Sequence, residues 1–254
     1  MDNERNVISE TKSVITCESG RMVIIEQESR ERADNARVLE LARNGKEEGY
    51  ALFSETTDST VLHPGGPGLF LSILARPMMH AQKAGLLSAA TAVAVARAME
   101  SVSDLSIRIR WVNDLYCDTQ KLAAMMTSAR IKPNGYFDYA VIGITVSLSP
   151  GHFQPKLGDV IRRVFNGELR SLGTRLSEAI VREFFSIYDK MAVDGSYLEE
   201  YRTRSMVIGR RVKVLVGDTY VRARIVGIDD NACLTVEVKG GEKMTVSSRS
   251  EIVF

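Results

Sequence analysis

The sequence predicts an α+β protein that ends in a small β-barrel. Short apolar runs rich in β-branched residues recur between residues 22 and 149. Stretches with helical spacing lie among and after them, at 33–45, 82–101 and 155–204. Then the period switches. GRRVKVLVGDTYVRARIVGIDDNACLTVEVKGGEKMTVSSRSEIVF (209–254) has short alternating runs broken at GD, DDNA and KGGE, which read as hairpin turns in a barrel of about five strands.

Taken in order, residues 1–20 are polar and without period and read as a tail. MVIIEQ (22–27) is a strand. ADNARVLELARNG (33–45) is a helix, with Asp34 as its N-cap and Gly45 as its stop. YALFSE (50–55) is a strand, TTDSTVLHPGGPG (56–68) a loop, and GLFLSILARP (68–77) a central strand ended by Pro77. A buried helix fills about 82–101. LSIRIRWV (105–112) and YFDYAVIGITVSLS (136–149) are strands; KLAAMMTSARI (121–131) reads as a strand, although KLAAMM suits a helix equally well. Helical patterns follow in LGDVIRRVF, LSEAIVREFFSIYDKM and YLEEYRT. A boundary near 206–208 separates a larger unit (21–206) from the barrel (207–254).

Bulk properties exclude several classes. The chain has 254 residues and a formal net charge of +1, so no strong field draws it to nucleic acid or a membrane surface. Its three cysteines (Cys17, Cys117, Cys233) are far apart, which fits a reducing compartment and neither a disulfide framework nor a zinc site. The polar start carries no signal peptide, and the longest apolar stretch (84–99) is too short to span a bilayer, so a cytoplasmic protein is expected. Arg210, Arg211, Lys213, Arg222 and Arg224 make a modest basic face without an aromatic platform, which reads as solvated surface.

The stretch RWVNDLYCDTQKLAAMM (110–126) sets an Arg, a Trp, an Asn-Asp pair and a Lys in an apolar context. It resembles the hairpin of the biotin protein ligases, K-W-P-N-D followed by K-L-A-G-I-L. Arg110, Trp111, Asn113, Asp114 and Lys121 match it without a gap. GLFLSILARP resembles that family's G-L-Y-L-S-L-L-L-R-P, and AVIGITVSLSP its G-I-G-I-N-V strand. LEEYRTRSMVIGRRVKVL, IVGIDDNACLTVEV and VSSRSEIVF resemble its ending. The resemblance covers about 21–254, in the pattern of the short form without a DNA-binding domain.

It implies the class II synthetase-like biotin/lipoate ligase fold, a mixed β-sheet flanked by helices, followed by an SH3-like β-barrel. It implies a two-step reaction: biotin or a related acyl acid is adenylated by ATP with Mg²⁺, then passed to a lysine of a biotin carboxyl carrier domain. Lys121, Arg110 and Asp114 take the catalytic places, Asp114 also as the Mg²⁺ ligand. A fixed ammonium between a carboxylate and a polyphosphate screens their repulsion. Asn35, Thr57, Trp111, Asn113 and Gly143 take substrate-binding places. Without the motif, Lys121 reads as solvated, Trp111 as core and Asn113-Asp114 as turn residues. The resemblance also allows a homodimer through sheet edges, which no residue here decides.

The sequence departs from the family at ligand positions. The family's loop A-E-E-Q-T-A-G-R-G-R-R-G-R-x-W stands here as SETTDSTVLHPGGPG (54–68), shorter and without arginine. Between Arg43 and Arg76 the only Lys or Arg is Lys46. Thr57 replaces a biotin-contacting Gln and Thr60 the first loop Gly. The S-T-N triplet is Ala33, Asp34 and Asn35; Ala124 replaces a Gly, Thr145 an Asn and Val112 a Pro. An arginine fork is not replaced by hydroxyls and a neutral His63. Two readings follow: an ATP-dependent ligase with an unusual loop, or a non-catalytic relative that binds a small molecule or a carrier protein. A lipoate or octanoate transferase fits the hairpin and ending less well.

Overall fold

The strand Gly68–Ala75 (β4) is buried along its whole length, which explains its unbroken apolar run and its place near the middle of a sheet. Leu69, Leu71 and Ile73 face one apolar core, while Phe70 and Leu74 face another on the opposite side. The computed structural model describes residues 11–28, 35–56, 68–148, 169–248 and 250–254. Within them β4 is followed across an eight-stranded sheet by strands from both halves of the larger unit.

In chain order the elements are β1 (Thr11–Thr16), β2 (Met22–Gln27), α1 (Asn35–Arg43), β3 (Tyr50–Thr56), β4, α2 (Ala84–Ser101), β5 (Arg108–Arg110), β6 (Asp114–Cys117), β7 (Gln120–Ile131) and β8 (Phe137–Ser147). Then come α3 (Leu169–Tyr188), α4 (Ser196–Arg204), β9 (Arg211–Val216), β10 (Thr219–Ile228), β11 (Leu234–Val238), β12 (Lys243–Val246) and β13 (Ile252–Val253). The first sheet has the order β1-β2-β3-β4-β8-β7-β6-β5. It is mixed: β2 and β3 run parallel, linked through α1, and every other pair is antiparallel.

Helices cover both faces. Val38 and Ala42 of α1 pack on Tyr50, Leu52, Leu74, Tyr139 and Val141. On the other face α2 lies in the larger core with α3 and α4 against it. Its alanines and valines are buried around most of the helix, as expected of a helix enclosed by protein. Near its start, a Cβ on Gly85 would come within 2.6 Å of the Asn231 carbonyl, so only glycine lets the helix meet the β10–β11 turn this closely.

The second sheet corrects an expectation. Five strands form as the alternation predicts, but the order β12-β11-β10-β9-β13 is open, and no SH3-like barrel closes. Closure requires the two end strands to pair. Here β13 is two residues long and pairs only with β9, through Ile252–Val214 and Val253–Lys213, while β12 pairs with β11. The sheet buries its inner residues Val212, Val214, Ala223, Ile225 and Val236 in the core cluster shared with α2.

Two further differences are local. Thr11–Thr16, within the expected tail, is an edge strand paired with β2; only Ile15 in it is buried, so its pattern was weak. LSIRIRWV contributes only Arg108–Arg110 as strand, because the chain turns at 111–113 into β6. KLAAMM is strand. Asp34 and LGDVIRRVF lie outside the described residues.

Candidate active site

The sheet face that carries α1 also carries the candidate site. Residues directly opposite in an antiparallel pair share a face. Ser72, Gly143 and Met126 therefore form one row across β4, β8 and β7. Phe70, Thr145, Ala124, Asp114 and Arg110 form the next, across β4, β8, β7, β6 and β5.

At the first row, Asn35 opens α1 and lays its amide over Gly143. A Cβ there would stand 2.3 Å from Nδ2 and 2.5 Å from Oδ1 of Asn35. The Ser72 hydroxyl, 2% exposed, donates to Asn35 Oδ1 at 2.8 Å. The glycine thus makes room for an amide that a buried hydroxyl holds in place.

At the second row, Lys121 Nζ meets Asp114 Oδ1 at 2.7 Å. A β-bulge lets it do so. Leu115 pairs with Ala123 and Tyr116 with Lys121, so Leu122 is the extra residue. Leu122 turns into the core at 1% exposure, and Lys121 stays on the face of Asp114. Arg110 sits directly opposite Asp114. Its Nη1 donates to the Tyr116 hydroxyl at 3.3 Å, and its Cζ lies 4.9 Å from the centre of the Phe254 ring. Two cations and one carboxylate leave an excess positive charge for an anion. Strand spacing puts Asp114 about 12 Å from Gly143, two strands over and two residues along.

The other motif residues brace the hairpin. Trp111, 8% exposed, belongs to the core and donates Nε1–H to the Ala232 carbonyl at 2.9 Å. The Tyr201 hydroxyl donates to the Val112 carbonyl at 2.9 Å, and the Trp111–Val112 peptide is cis. Asn113 donates its side-chain amide to the Met125 carbonyl and accepts from Met125 N–H at 3.0 Å on its own carbonyl, which ties the turn to β7. Burial, then Asp118, pushes the Cys117 thiol up from its ordinary value, which disfavours the thiolate.

The structure thus brings Arg110, Asp114 and Lys121 together on one face and Asn35 against Gly143, while Trp111 and Asn113 point to structural partners. Thr57 lies outside the described residues, as do Ala33, Asp34 and Thr60. Sequence reasoning missed Ser72, Tyr116 and Phe254 as partners. Ser72 had a signal, being the lone polar residue in GLFLSILA. Among the described residues no group of three or more His, Cys, Asp or Glu gathers to hold a metal. The Asp114 carboxylate would suit a Mg²⁺ held chiefly by phosphate and water, as that ion usually is beside one or two carboxylates. No helix among the described residues is long and apolar enough to cross a membrane.

No family model matches the chain. Curated relatives do. The bifunctional ligase/repressor BirA of Bacillus subtilis (strain 168) is 25% identical over 230 residues, covering 84% of this chain and 69% of the relative. BirA of Escherichia coli (strain K12) is 25% identical over 191 residues, covering 70% and 56%. Among solved structures, a biotin protein ligase-like protein of unknown function from Silicibacter sp. TM1040 matches with a TM-score of 0.69 at 14% identity, over 88% of this chain and 94% of that one. A mutant biotin protein ligase from Aquifex aeolicus in complex with biotin matches with a TM-score of 0.62 at 16% identity, over 85% and 92%. The structures share the fold. The chain is a homologue of the biotin protein ligases.

Proposed function

We propose that this protein is an acyl–protein ligase of the biotin type. It joins the carboxylate of biotin, or of a related acyl acid, to the α-phosphate of ATP and passes the acyl group to a lysine of a carrier domain. The observation that carries this reading is the Arg110–Asp114–Lys121 cluster. It lies on the same sheet face as the Asn35–Gly143 contact, in a homologue of the ligases.

In the first step a carboxylate oxygen attacks the α-phosphorus, and the bond to the bridging oxygen breaks as pyrophosphate leaves. Lys121 stands between the two anions and neutralises charge that builds in transfer, with Arg110 as the second cation. Asp114 holds the Lys121 ammonium with one oxygen, and its other oxygen would hold Mg²⁺, which neutralises phosphate charge when bound. Asn35, braced by Ser72, offers amide hydrogens beside Gly143 to the far end of the acid. Trp111 and Asn113 keep the hairpin in register with the nucleotide side, and Thr57, by the resemblance, takes a substrate-binding role. In the second step a lysine amine attacks the acyl carbon, AMP leaves and the amine loses a proton.

One observation favours a second reading, a relative that binds the acid or the carrier without adenylating. The stretch from residue 44 to 75 contains no arginine. Losing a charge-stabilising donor costs about 2.7–4 kcal/mol in such transfers. The deciding experiment is mass spectrometry after incubation with Mg²⁺-ATP and a mixture of biotin, lipoate and octanoate. Biotinyl-adenylate supports the ligase, and another acyl-adenylate changes its substrate. No adenylate from folded protein leaves the binder.

A further inference from the structure

The outer face of the five-stranded sheet places like charges directly against each other, twice. Lys213 of β9 is the register partner of Arg222 of β10, and Arg211 is the partner of Arg224. All four are exposed. Opposite positions on one face stand about 5 Å apart, and alternate residues along a strand about 7 Å. The four charges therefore occupy a small rectangle. Like charges at such positions destabilise a sheet. Among the described residues none of the four joins an ion pair, although Arg97, Arg202 and Arg204 nearby in sequence or fold are all paired. Only Glu237, across from Arg224 on β11, sets a carboxylate directly opposite one of the four.

We propose that this face docks a partner protein through a compact cluster of carboxylates on that partner. The margins of the rectangle select a protein over a polyanion. Glu237 is the register partner of Arg224 on β11, and Lys243 lies beyond it. Glu251 accepts a hydrogen bond from Tyr220, the aromatic residue in the next row, so its hydroxyl is already engaged. Val253, 49% exposed, borders Lys213 with apolar surface. A continuous phosphate backbone would run from the cations onto carboxylates and valine. A small acidic cluster with an apolar rim would not. The net charge of +1 also gives no long-range attraction for a polyanion. Its rim adjoins the candidate cluster, since Phe254 follows Val253 and lies over Arg110, but docking there does not depend on adenylation.

The test uses the full chain and two labelled helical peptides, one with glutamates along one face and one with glutamines there, followed by fluorescence anisotropy against salt. A short oligothymidylate serves as the polyanion. The variant is Arg211→Glu with Arg222→Glu, which turns each like pair into an opposite pair, leaves Arg224 facing Glu237, and so melts at or above the parent. The parent should bind the glutamate peptide at least about tenfold tighter than the glutamine peptide and lose affinity with salt, and the variant should lose that preference. Equal binding by parent and variant, or no preference for glutamate in the parent, overturns the proposal. Oligothymidylate binding tighter than the glutamate peptide, and lost in the variant, overturns it in favour of a nucleic-acid surface.

Discussion

Gly143→Ala tests the pocket floor through a coupling rather than a loss. Gly143 has no positive φ, so alanine fits the backbone, and replacing a strand glycine favours folding by about 0.5–1 kcal/mol. The new methyl would overlap the Asn35 amide, at 2.3 and 2.5 Å from its nitrogen and oxygen. Asn35 is short and must swing away, which breaks the bond from Ser72. That leaves a hydroxyl in a residue 2% exposed without this acceptor, at about 1–3 kcal/mol. The net effect is destabilisation of about 0.5–2 kcal/mol. Asn35→Ala alone should cost about 1–3 kcal/mol for the same orphaned hydroxyl. In that background Gly143→Ala meets no amide and should be neutral or stabilising. Urea unfolding of the parent, both single variants and the double variant gives the coupling. The double variant should be more stable than the sum of the singles by about 1–3 kcal/mol. Additivity within about 0.5 kcal/mol would mean that Asn35 and Gly143 do not share this space.

Lys121→Ala should lower adenylate formation by about 100- to 1000-fold with a circular dichroism spectrum like the parent's; undiminished adenylate removes Lys121 from the mechanism. Trp111→Phe keeps a six-membered ring but removes the donor to the Ala232 carbonyl and part of a core side chain, so the unfolding free energy should fall by at least about 1–3 kcal/mol; an unchanged value would refute the structural role of the indole. Burial opposes ionisation of Glu100 and Glu200, but hydrogen bonds from Arg204 and Ile107 N–H at Glu100, and from Arg97 and then Arg204 at Glu200, hold both carboxyls below the ordinary 4.5. A depressed folded pKa gives stability that is complete above the unfolded value and lost as pH falls through the folded one. Unfolding free energies measured downward from pH 5 should therefore decline below about 4.5, less steeply in Glu100→Gln; identical slopes would refute the assignment.

What the sequence revealed depended on how local the cause was. GLFLSILA declares a strand covered on both faces, and the alanine-rich run at 84–99 declares an enclosed helix, because each pattern follows from its own surroundings. Arg110, Asp114 and Lys121 were legible because one hairpin carries them all. Alternation in 209–254 revealed strands and the face each residue takes, but it does not encode which strands pair. Closure failed there, on the two residues of β13. Ser72 with Asn35, Trp111 with Ala232 and Arg110 with Phe254 join distant segments, and no local pattern marks them. The Thr11–Thr16 strand was missed because an edge that buries one side chain carries almost no hydrophobic signal.

The bulge at Leu122 makes strand register as decisive as residue identity in the hairpin. Lys121 and Ala123 are two residues apart and would take the same face of a regular strand; the bulge lets one face the ligand side and the other the core. A regular pairing of the same residues would therefore turn either the ammonium to the apolar side or Ala123 out of the core. Point substitutions in this segment can be graded by chemistry. The bulge acts instead like a parity bit, and a designer who moves this hairpin to another scaffold must preserve it before the composition.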